Sequence, residues 1–366
     1  MRAFFPELWL NAYTMIRAKI VGAGGYGGVG ITELLLKHPE VDIACLVAKD
    51  ETGMPISHLY PHLAGYCDLT IHAPDAPEAQ DAFDVVFFST PDQVGMVVAR
   101  EELAKGAKVI DYSGDFRFGS PDLYADYASR IGLDTEHRSP DLLPESVYGL
   151  NELGLQDIGE KTIVGNPGCF AVSVLLGLAP AAANGLIDPS SIIADCKTGV
   201  SGAGKKPSAV FHFPARHDHM NAYRLTGHQH TCEVEQNLTA LARGVRHCIT
   251  FTAQVVPASR GIMSCNYGQL NDGMSLEQVM EAYLAFYEHQ PFVKVFGRDT
   301  MIGTSHVRGS NNCFLTVDVD ERTRRLRVVS YIDNLMKGQA GSALQNMNLL
   351  FDFPETMGLD RPGQYP

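Results

Sequence analysis

A glycine-rich turn near the start of the chain constrains its fold more than any other feature. Residues 19–21 predict a short strand, the turn follows as Gly22-Ala23-Gly24-Gly25-Tyr26-Gly27-Gly28-Val29-Gly30, and residues 31–36 predict a helix. Glycines permit a sharp turn and let the backbone approach a pyrophosphate, whose charge the helix N-terminus stabilises. This order predicts a Rossmann-type dinucleotide site, with a glycine turn that binds no ligand as the alternative. The candidate cofactor contacts are Gly22, Gly24, Gly25, Tyr26, Gly27 and Gly28.

Strand-like and helix-like stretches alternate through the rest of the first half. Buried strands are predicted over residues 41–47, 84–89 and 108–112, with a helix over 94–105. The alternation predicts an open, doubly wound parallel sheet whose ligand lies at the carboxyl ends of the strands. The cofactor candidates at that edge are Ser89, Thr90 and Pro91. Arg117 emerges there as a candidate for an anionic substrate group, with a surface ion pair as the alternative.

The loop after the second strand bears on the choice of cofactor. Lys49 follows the strand end, and Asp50 and Glu51 come next. A carboxylate at this position favours the ribose hydroxyls of NAD, whereas a cation accommodates the extra phosphate of NADP. Because Lys49 stands nearest the strand, the sequence favours NADP; an exposed lysine without a role is the alternative.

The pattern changes in the second half of the chain. Longer strands are predicted over residues 191–197, 250–256, 262–270, 314–319 and 326–332, with helices over 233–242 and 276–287. The last two strands are joined by an obvious hairpin turn, so the sequence favours a mostly antiparallel sheet. A final helix over residues 338–350 follows the sheet and could pack back on the first domain.

A second turn, Gly165-Asn166-Pro167-Gly168-Cys169, lies between strand-like and helix-like residues. It places Cys169 on the first turn of a helix, where free N–H groups and the helix dipole stabilise a thiolate and a neighbouring oxyanion. The sequence therefore predicts an acidic thiol that attacks an acyl group. A buried structural cysteine is the alternative.

A basic loop, Gly199-Val200-Ser201-Gly202-Ala203-Gly204-Lys205-Lys206, follows a predicted strand. Its backbone N–H groups and its lysines could bind a cofactor or a phosphate. A mobile surface loop without a ligand is the alternative.

Five histidines cluster further along, at His212, His217, His219, His228 and His230. Zinc binding is one interpretation. However, no acidic or cysteine ligands stand at suitable spacing, so we predict no metal. The pattern favours a histidine of Gly227-His228-Gln229-His230 as the acid/base partner of Cys169, because imidazole titrates near neutral pH. Histidines with only a structural role are the alternative.

Charge and cysteine content limit the class of protein. The formal charge of -13, with no run of Lys or Arg, argues against nucleic acid or an anionic membrane as a partner. Eight cysteines without a C-x-x-C pair fit neither a zinc ribbon nor a small disulfide scaffold and favour a cytoplasmic location. The first 14 residues are too short and too interrupted for a secretory signal or a membrane span.

Eight stretches, taken together, resemble the N-acetyl-gamma-glutamyl-phosphate reductase family, which is related to aspartate-semialdehyde dehydrogenase. The resemblance covers about residues 16–355 and lies in residues 22–36, 111–117, 148–153, 165–169, 198–205, 228–235, 260–262 and 333–338. The chain departs from the family pattern at Asn151, at Phe170-Ala171-Val172 after the cysteine, and at Gln229 and Cys232 near the histidines. Gln229 replaces an arginine, which removes a cation near the expected substrate pocket and leaves the acyl substituent open.

The resemblance implies an α/β fold with a Rossmann-type doubly wound parallel sheet and an α+β catalytic domain with a mostly antiparallel sheet. We expect an N-terminal extension over residues 1–14, an NADP-binding domain over 15–165, a catalytic and oligomerisation domain over 166–335, and a C-terminal segment over 336–366 whose helix returns to the first domain. It further implies a homodimer or a homotetramer.

The resemblance also assigns roles by matching motif. Cys169 is implied as the nucleophile and His228 as the acid/base group, with His230 as the second candidate. Arg117 is implied to bind the acyl phosphate, Ser201 and Gly202 to lie near the nicotinamide, and Asn334 to contact the cofactor. The remaining candidates for substrate contact are Asn166, Lys205 and Glu233.

These roles describe the NADPH-dependent reduction of N-acetyl-gamma-glutamyl phosphate to a semialdehyde and phosphate, through a cysteine thioester, in arginine biosynthesis. One alternative is a reductase of another acyl phosphate, such as aspartyl phosphate or a differently modified glutamyl or aminoadipyl phosphate. Two alternatives come from other classes: a non-catalytic NADP-binding regulator and a zinc-dependent hydrolase.

Overall fold

Two seven-stranded β-sheets organise the computed structural model, which describes residues 15–366. The extension predicted over residues 1–14 lies outside the described residues. The first sheet contains β1 (Ile16–Val21), β2 (Val41–Val47), β3 (Ile71–His72), β4 (Val85–Phe88), β5 (Lys108–Asp111), β6 (Ser146–Tyr148) and β7 (Ile163–Gly165). All its neighbouring strands are parallel, in the order β3-β2-β1-β4-β5-β7-β6.

Both faces of this first sheet are covered by helices. The helices of this half are α1 (Tyr26–Leu35), α2 (Ile56–Leu59), α3 (Gly95–Ala104) and α4 (Pro121–Arg130). Val86 and Phe88 of β4 pack with residues of α3 and α4, whereas Val85 and Phe87 face the side covered by α1. A parallel sheet buried on both faces is a doubly wound sheet, so this part of the predicted fold class is confirmed.

The second sheet is mixed, with antiparallel pairs in the majority. Its strands are β8 (Ile192–Thr198), β9 (Asn221–Tyr223), β10 (Ile249–Val255), β11 (Ile262–Gln269), β12 (Val293–Gly297), β13 (Cys313–Asp320) and β14 (Arg325–Ile332). Four of its six strand pairs are antiparallel, and the pairs β8–β10 and β12–β13 are parallel. The mostly antiparallel sheet is therefore confirmed.

Helices cover only one face of the second sheet within residues 15–366. They are α5 (Cys169–Ala183), α7 (His230–Leu241) and α8 (Leu276–Phe286), while the short α6 (Phe213–Arg216) lies near β9. Along β11 and β14 buried residues alternate with partly exposed ones, as expected where one face of a sheet packs on a core. We call the other side the open sheet face; it carries Met263, Cys265, Tyr267, Phe314, Thr316, Val329 and Tyr331.

The chain then returns from the second sheet to the first. A π-helical turn, Met336–Ala340, follows β14 and leads into α9 (Gly341–Leu350), which packs on α1 and β5. The side chain of Lys337 in this turn is completely buried and pairs with the equally buried Glu152, and Gln345 contacts both. This polar cluster fixes the π-helical turn against the segment between β6 and β7. No helix in residues 15–366 has the length and apolar character needed to cross a bilayer.

Candidate active site

Cys169 is the first residue of α5, directly after the turn that follows β7. Gly168 occupies the N-cap position, where no side chain caps the helix, and the first turn of α5 has no acidic residue. The first backbone N–H groups of α5 therefore remain available to an oxyanion beside the sulfur. Gly338 packs against the other side of this residue, because a Cβ at Gly338 would lie 2.8 Å from the Cys169 Cβ.

The expectation that this thiol is acidic is wrong for the substrate-free site. Burial raises the pKa of Cys169 to about 11, and it outweighs the backbone amide of Phe170 and the charge of Arg117, which both lower it. Sequence reasoning counted the helix N-terminus but not the desolvation, which depends on the surrounding tertiary structure. The thiol of the substrate-free protein is therefore protonated at neutral pH.

Two buried histidines stand beside this thiol. His228 and His230 pack at 4.9 Å between ring centroids, and each ring meets the edge of Phe170. The backbone N–H of His230 donates to Nδ1 of His228 at 3.2 Å, so neutral His228 carries its proton on Nε2. Burial lowers the pKa of His228 to about 2 and that of His230 to about 3. Both imidazoles are therefore neutral at physiological pH.

Beneath the turn formed by residues 165–169 lies a buried ion pair between Arg117 and Glu233. The Nη1 of Arg117 lies 3.3 Å from Oε2 of Glu233, and Nε donates to the Asn166 carbonyl at 2.8 Å. The other Glu233 oxygen accepts the Gly168 N–H at 2.8 Å and the Tyr148 hydroxyl at 2.7 Å. Although burial opposes its charge, Glu233 holds the pKa of Arg117 above its ordinary value. The pair thereby anchors the residue that precedes Cys169.

A cavity of about 450 Å³ opens from Cys169, His228 and His230. Its wall is otherwise formed by residues 198–200, 202 and 203, by the apolar side chains of Phe170, Val210, Phe211 and Val255, and by polar residues around β9. None of the lining residues is acidic, and two are cations that the sequence analysis did not single out, Arg216 and Arg224. The Nη1 of Arg224 donates to Oε1 of Gln229 at 2.5 Å. Gln229 stands where the family pattern has an arginine, and Arg224, five residues earlier, therefore supplies a positive charge at the same place.

Several predicted contact residues lie outside this cavity. Arg117, Asn166, Ser201, Lys205, Glu233 and Asn334 are not among its lining residues, whereas Gly202 is. The Asn166 side chain bonds to the Gln339 carbonyl and to Asn346, which connects the turn of residues 165–169 to the C-terminal segment. Asn334, predicted to contact the cofactor, donates to Ser201, predicted to lie near the nicotinamide, and it accepts the Gly261 N–H. Lys205 instead reaches the first sheet, where it pairs with Glu51.

The glycine turn at β1 has the geometry of a dinucleotide cradle. Gly22 has φ +87°, and a Cβ there would lie 2.2 Å from the Ser89 carbonyl oxygen. Helix α1 begins at Tyr26 inside the glycine run, with no capping side chain and no acidic residue in its first turn. A Cβ at Gly27 would lie 2.4 Å from Ser89 Oγ and 2.9 Å from Gln339 Nε2. The end of β4, the start of α1 and the π-helical turn therefore lie next to one another at the glycine turn.

Unpartnered polar atoms beside this cradle fit a bound dinucleotide. Thr90 Oγ1 and Gln339 Oε1 are buried without a hydrogen-bond partner among the described residues. Such atoms are costly unless a ligand or water satisfies them. Sequence reasoning found Thr90 but missed Gln339, because nothing local marks a residue 250 positions from the strand as its neighbour. Lys49 and Pro91, the remaining cofactor candidates, are exposed at this edge.

The histidine cluster of the sequence separates in the structure. His212, His217 and His219 are exposed, whereas His228 and His230 are buried at the cavity. In the described part of the chain, no three His, Cys, Asp or Glu side chains are grouped as they would be around a metal ion.

Comparison with known proteins supports a nicotinamide enzyme. The family model described as semialdehyde dehydrogenase, NAD binding domain, matches residues 17–161, and the semialdehyde dehydrogenase dimerisation domain matches residues 169–334. An N-acetyl-gamma-glutamyl-phosphate reductase from Geobacter metallireducens is 42% identical, covering 96% of this chain and 100% of its own length. One from Bacillus mycoides is 41% identical with the same coverage.

Solved structures support the same fold. Aspartate semialdehyde dehydrogenase II from Vibrio cholerae matches with a TM-score of 0.68 at 17% identity, covering 93% of this chain and 99% of that one. The enzyme from Candida albicans, solved with NADP, matches with a TM-score of 0.63 at 16% identity, covering 92% and 99%. At this identity the likeness concerns the fold alone. The predicted nicotinamide-binding domain is confirmed at the level of the family model, which does not distinguish NADP from NAD.

Proposed function

The chain belongs to the N-acetyl-gamma-glutamyl-phosphate reductase family, and from that premise we propose that it reduces N-acetyl-gamma-glutamyl phosphate to N-acetylglutamate semialdehyde and phosphate. NADPH is the proposed electron donor, and the pathway is arginine biosynthesis. The observation that carries the proposal is the convergence of Cys169, His228 and His230 on one cavity without acidic lining residues. A reducing cytoplasm, where free thiols persist, is the proposed location.

The chemistry begins with transfer of the thiol proton of Cys169. His230 is the proposed base, because its Nδ1 has no partner among the described residues and Nε2 of the ring lies against Gly168. The thiolate and the imidazolium formed by the transfer stabilise each other. The sulfur then forms a bond to the acyl carbon, and the bond from that carbon to the phosphate oxygen breaks, which gives a thioester and releases phosphate.

The developing negative charge on the carbonyl oxygen requires hydrogen-bond donors. The first N–H groups of α5 provide them at the sulfur, and Nε2–H of His228 is a further donor beside the same cavity. The two histidines thus have different proposed roles: His230 is the base, and His228 donates a hydrogen bond to the oxyanion of the thiohemiacetal.

When it is bound, the cofactor supplies a hydride to the carbonyl carbon of the thioester. The C–S bond of the thiohemiacetal then breaks, which releases the semialdehyde and returns Cys169 as a thiolate that takes back its proton. The glycine turn and the N-terminus of α1 are proposed to hold its pyrophosphate, with Ser89, Thr90 and Gln339 as polar neighbours. Ser201, Gly202 and Asn334 are proposed to support the nicotinamide end, since Asn334 holds Ser201 at 2.9 Å in the segment that also lines the substrate cavity.

The substrate is an acyl phosphate with a second negative charge at its α-carboxylate. Arg117 does not line the cavity, but its Nη1 would lie 3.0 Å from a Cβ at Gly168, so we propose that its charge attracts the phosphate from beneath the turn that carries Cys169. Arg224 is the proposed cation for the carboxylate, since it lines the cavity and its guanidinium is oriented by Gln229. Asn166 and Glu233 are proposed to position these groups, in keeping with their internal hydrogen bonds.

The activity is tested in the reverse direction with a panel of semialdehydes, NADP and inorganic phosphate. We expect N-acetylglutamate semialdehyde to give the highest kcat/KM, and omission of phosphate to stop NADPH formation. Preference for aspartate semialdehyde or a differently modified substrate would move the assignment to another acyl phosphate. No turnover of any of them, with nucleotide binding intact, would favour the non-catalytic regulator.

Replacement of each histidine by asparagine separates their roles. We expect His230→Asn to lower kcat by at least about a hundredfold, because the protonated thiol loses its base. His228→Asn should lower kcat by less, because the asparagine amide still provides one hydrogen-bond donor. The measurement is the phosphate-dependent assay with each variant, and His219→Asn, at an exposed histidine outside the cavity, is the matched control. A larger loss in His228→Asn would reverse the two assignments.

A homodimer, or a homotetramer built from such dimers, is the proposed assembly, and the open sheet face is its proposed interface. Register places Met263, Tyr331 and Phe314 side by side across three strands, with Cys265, Val329 and Thr316 in the next row. Charged residues border these apolar rows on both sides, with Lys197 and Asp195 on β8 and Asp318 and Arg327 beyond Thr316 and Val329. An apolar centre with a polar rim is typical of a stable protein interface. The family model for this half of the chain is described as a dimerisation domain.

We expect Tyr331→Asp to dissociate this assembly, because it would bury an unpaired charge at the centre of the interface. Light scattering should give at least twice the 39.9 kDa chain mass for the wild-type protein and the single-chain mass for the variant. Tyr66→Asp, at an exposed tyrosine in the first half of the chain, is the control. An unchanged mass in Tyr331→Asp would place the interface elsewhere.

A further inference from the structure

An ion pair links the loop after β2 to the loop after β8. The Nζ of Lys205 lies 2.6 Å from Oε1 of Glu51, and each side chain is 29% exposed. The two residues follow strands of different sheets and are separated by 154 positions in the sequence. Lys205 was predicted as a substrate contact, but it lies outside the substrate cavity.

This ion pair lies over the glycine turn. A Cβ at Gly24 would be 2.5 Å from Oε2 of Glu51 and 3.6 Å from Nζ of Lys205. Tyr60 completes the group, because its hydroxyl donates to the Gly24 carbonyl at 2.9 Å and its ring lies 5.9 Å from the ammonium. In a Rossmann unit, the carboxylate that follows the second strand approaches the ribose of the adenosine half of the cofactor. Glu51 and Lys205 therefore stand where the substituent at the ribose 2′ position is recognised.

The charges at this point have opposite effects on the two nicotinamide cofactors. A carboxylate accepts a hydrogen bond from a 2′-hydroxyl but repels a 2′-phosphate, whereas an ammonium attracts the phosphate. Glu51 has φ +63°, a left-handed conformation that is uncommon for glutamate and indicates a constrained position. Lys49, the cation predicted from the sequence, is exposed in the same loop.

We propose that Lys205, contributed by the second half of the chain, binds the 2′-phosphate of NADP, and that Glu51 holds its ammonium over Gly24 until the phosphate replaces the carboxylate. The inference rests on the proposed function and names the residue behind its cofactor preference. It also connects the two sites, because residues 199, 200, 202 and 203, which precede Lys205, line the substrate cavity.

The test measures dissociation constants for NADPH and NADH by nucleotide fluorescence in the full chain, without substrate. We expect Lys205→Met to raise the dissociation constant of NADPH by about tenfold to a hundredfold and to change that of NADH by less than about threefold. Lys206→Met, an equal charge change at an exposed neighbouring lysine, is the matched control. Glu51→Gln should tighten NADPH and weaken NADH, and it serves alone if Lys205→Met does not fold.

Three outcomes would overturn the inference. An equal loss of both nucleotides in Lys205→Met would assign the lysine to the shared pyrophosphate or to the fold. If Lys49→Met, rather than Lys205→Met, weakened the binding of NADPH selectively, the 2′-phosphate would bind to the loop after β2. If Glu51→Gln left the ratio of the NADPH and NADH dissociation constants unchanged, the 2′-phosphate would not replace the Glu51 carboxylate at Lys205. In each case a wild-type protein that still prefers NADPH leaves the proposed reductase standing, whereas a wild-type protein that binds neither nucleotide contradicts the reductase itself.

Discussion

Cys169→Ala should lower the phosphate-dependent oxidation of the semialdehyde by on the order of 10⁴-fold or more, since the covalent route is lost with the sulfur. The cavity, both histidines and the glycine turn are unaffected by the loss of one sulfur atom, so NADPH binding should persist. The measurement is kcat in the reverse assay together with the dissociation constant of NADPH. Cys248→Ala is the matched control, because Cys248 is also a partly exposed free thiol but does not line the cavity.

A comparison of the wild-type protein with Cys169→Ala also shows whether the thiol needs a base to ionise. Because burial raises the pKa of Cys169 to about 11, its thiolate fraction in the substrate-free protein should still be increasing above pH 9. The rate of iodoacetamide alkylation, taken as the difference between wild type and Cys169→Ala, should therefore rise throughout that range. A plateau below pH 8 would mean that the thiolate is preformed and that no base is needed. Full activity in Cys169→Ala would remove the nucleophile altogether.

Local sequence patterns were sufficient to predict the strands, turns and helices that carry the candidate site. The glycines of residues 22–28 and the turn before Cys169 each need a particular backbone geometry, which restricts the residue type at each position. Alternating strands and helices in the first half similarly admit few topologies. The edge strands β9 and β12 were missed, because short strands at a sheet edge have little hydrophobic pattern to detect.

Properties that depend on distant parts of the chain were not accessible from local patterns. The backbone amide at the helix N-terminus does lower the pKa of Cys169, but burial raises it by more, so the predicted acidic thiol is wrong for the substrate-free protein. Arg224 and Gln339 approach the sites from segments without a recognisable motif. Lys205 was noticed for its charge and given to the substrate, because only the fold shows that its loop crosses to Glu51.

A second large effect is expected at the buried ion pair of Lys337 and Glu152. Lys337→Met should lower the free energy of unfolding by about 3–5 kcal/mol, because it leaves the carboxylate of Glu152 without its countercharge in a site closed to water. The measurement is urea unfolding followed by circular dichroism. Activity should fall as well, since Gly338 follows Lys337 and packs against Cys169.

The pH dependence of this loss has a definite sign. Burial raises the pKa of Glu152, but Lys337 outweighs it and holds that pKa below its ordinary value in the wild-type protein. The pair therefore contributes stability above the unfolded pKa, near 4.3 for a glutamate, and this contribution is lost as the pH falls through the folded pKa. In Lys337→Met the lysine no longer opposes burial, and only the hydrogen bonds from Gln345 and the backbone still do, so the pKa of Glu152 should be higher than in the wild-type protein. The stability deficit should therefore be largest at neutral pH and should narrow as the carboxyl group takes up a proton.

The double variant Glu152→Gln/Lys337→Met separates charge from packing. It removes both charges and keeps an amide that can bond to Gln345, so it should recover most of the stability lost in Lys337→Met. A double variant as unstable as the single one would show that the lysine stem, rather than its charge, holds the π-helical turn. With recovery of stability but not of activity, the charge pair would instead be required to place Gly338 against the nucleophile, which would link the C-terminal segment to the chemistry at Cys169.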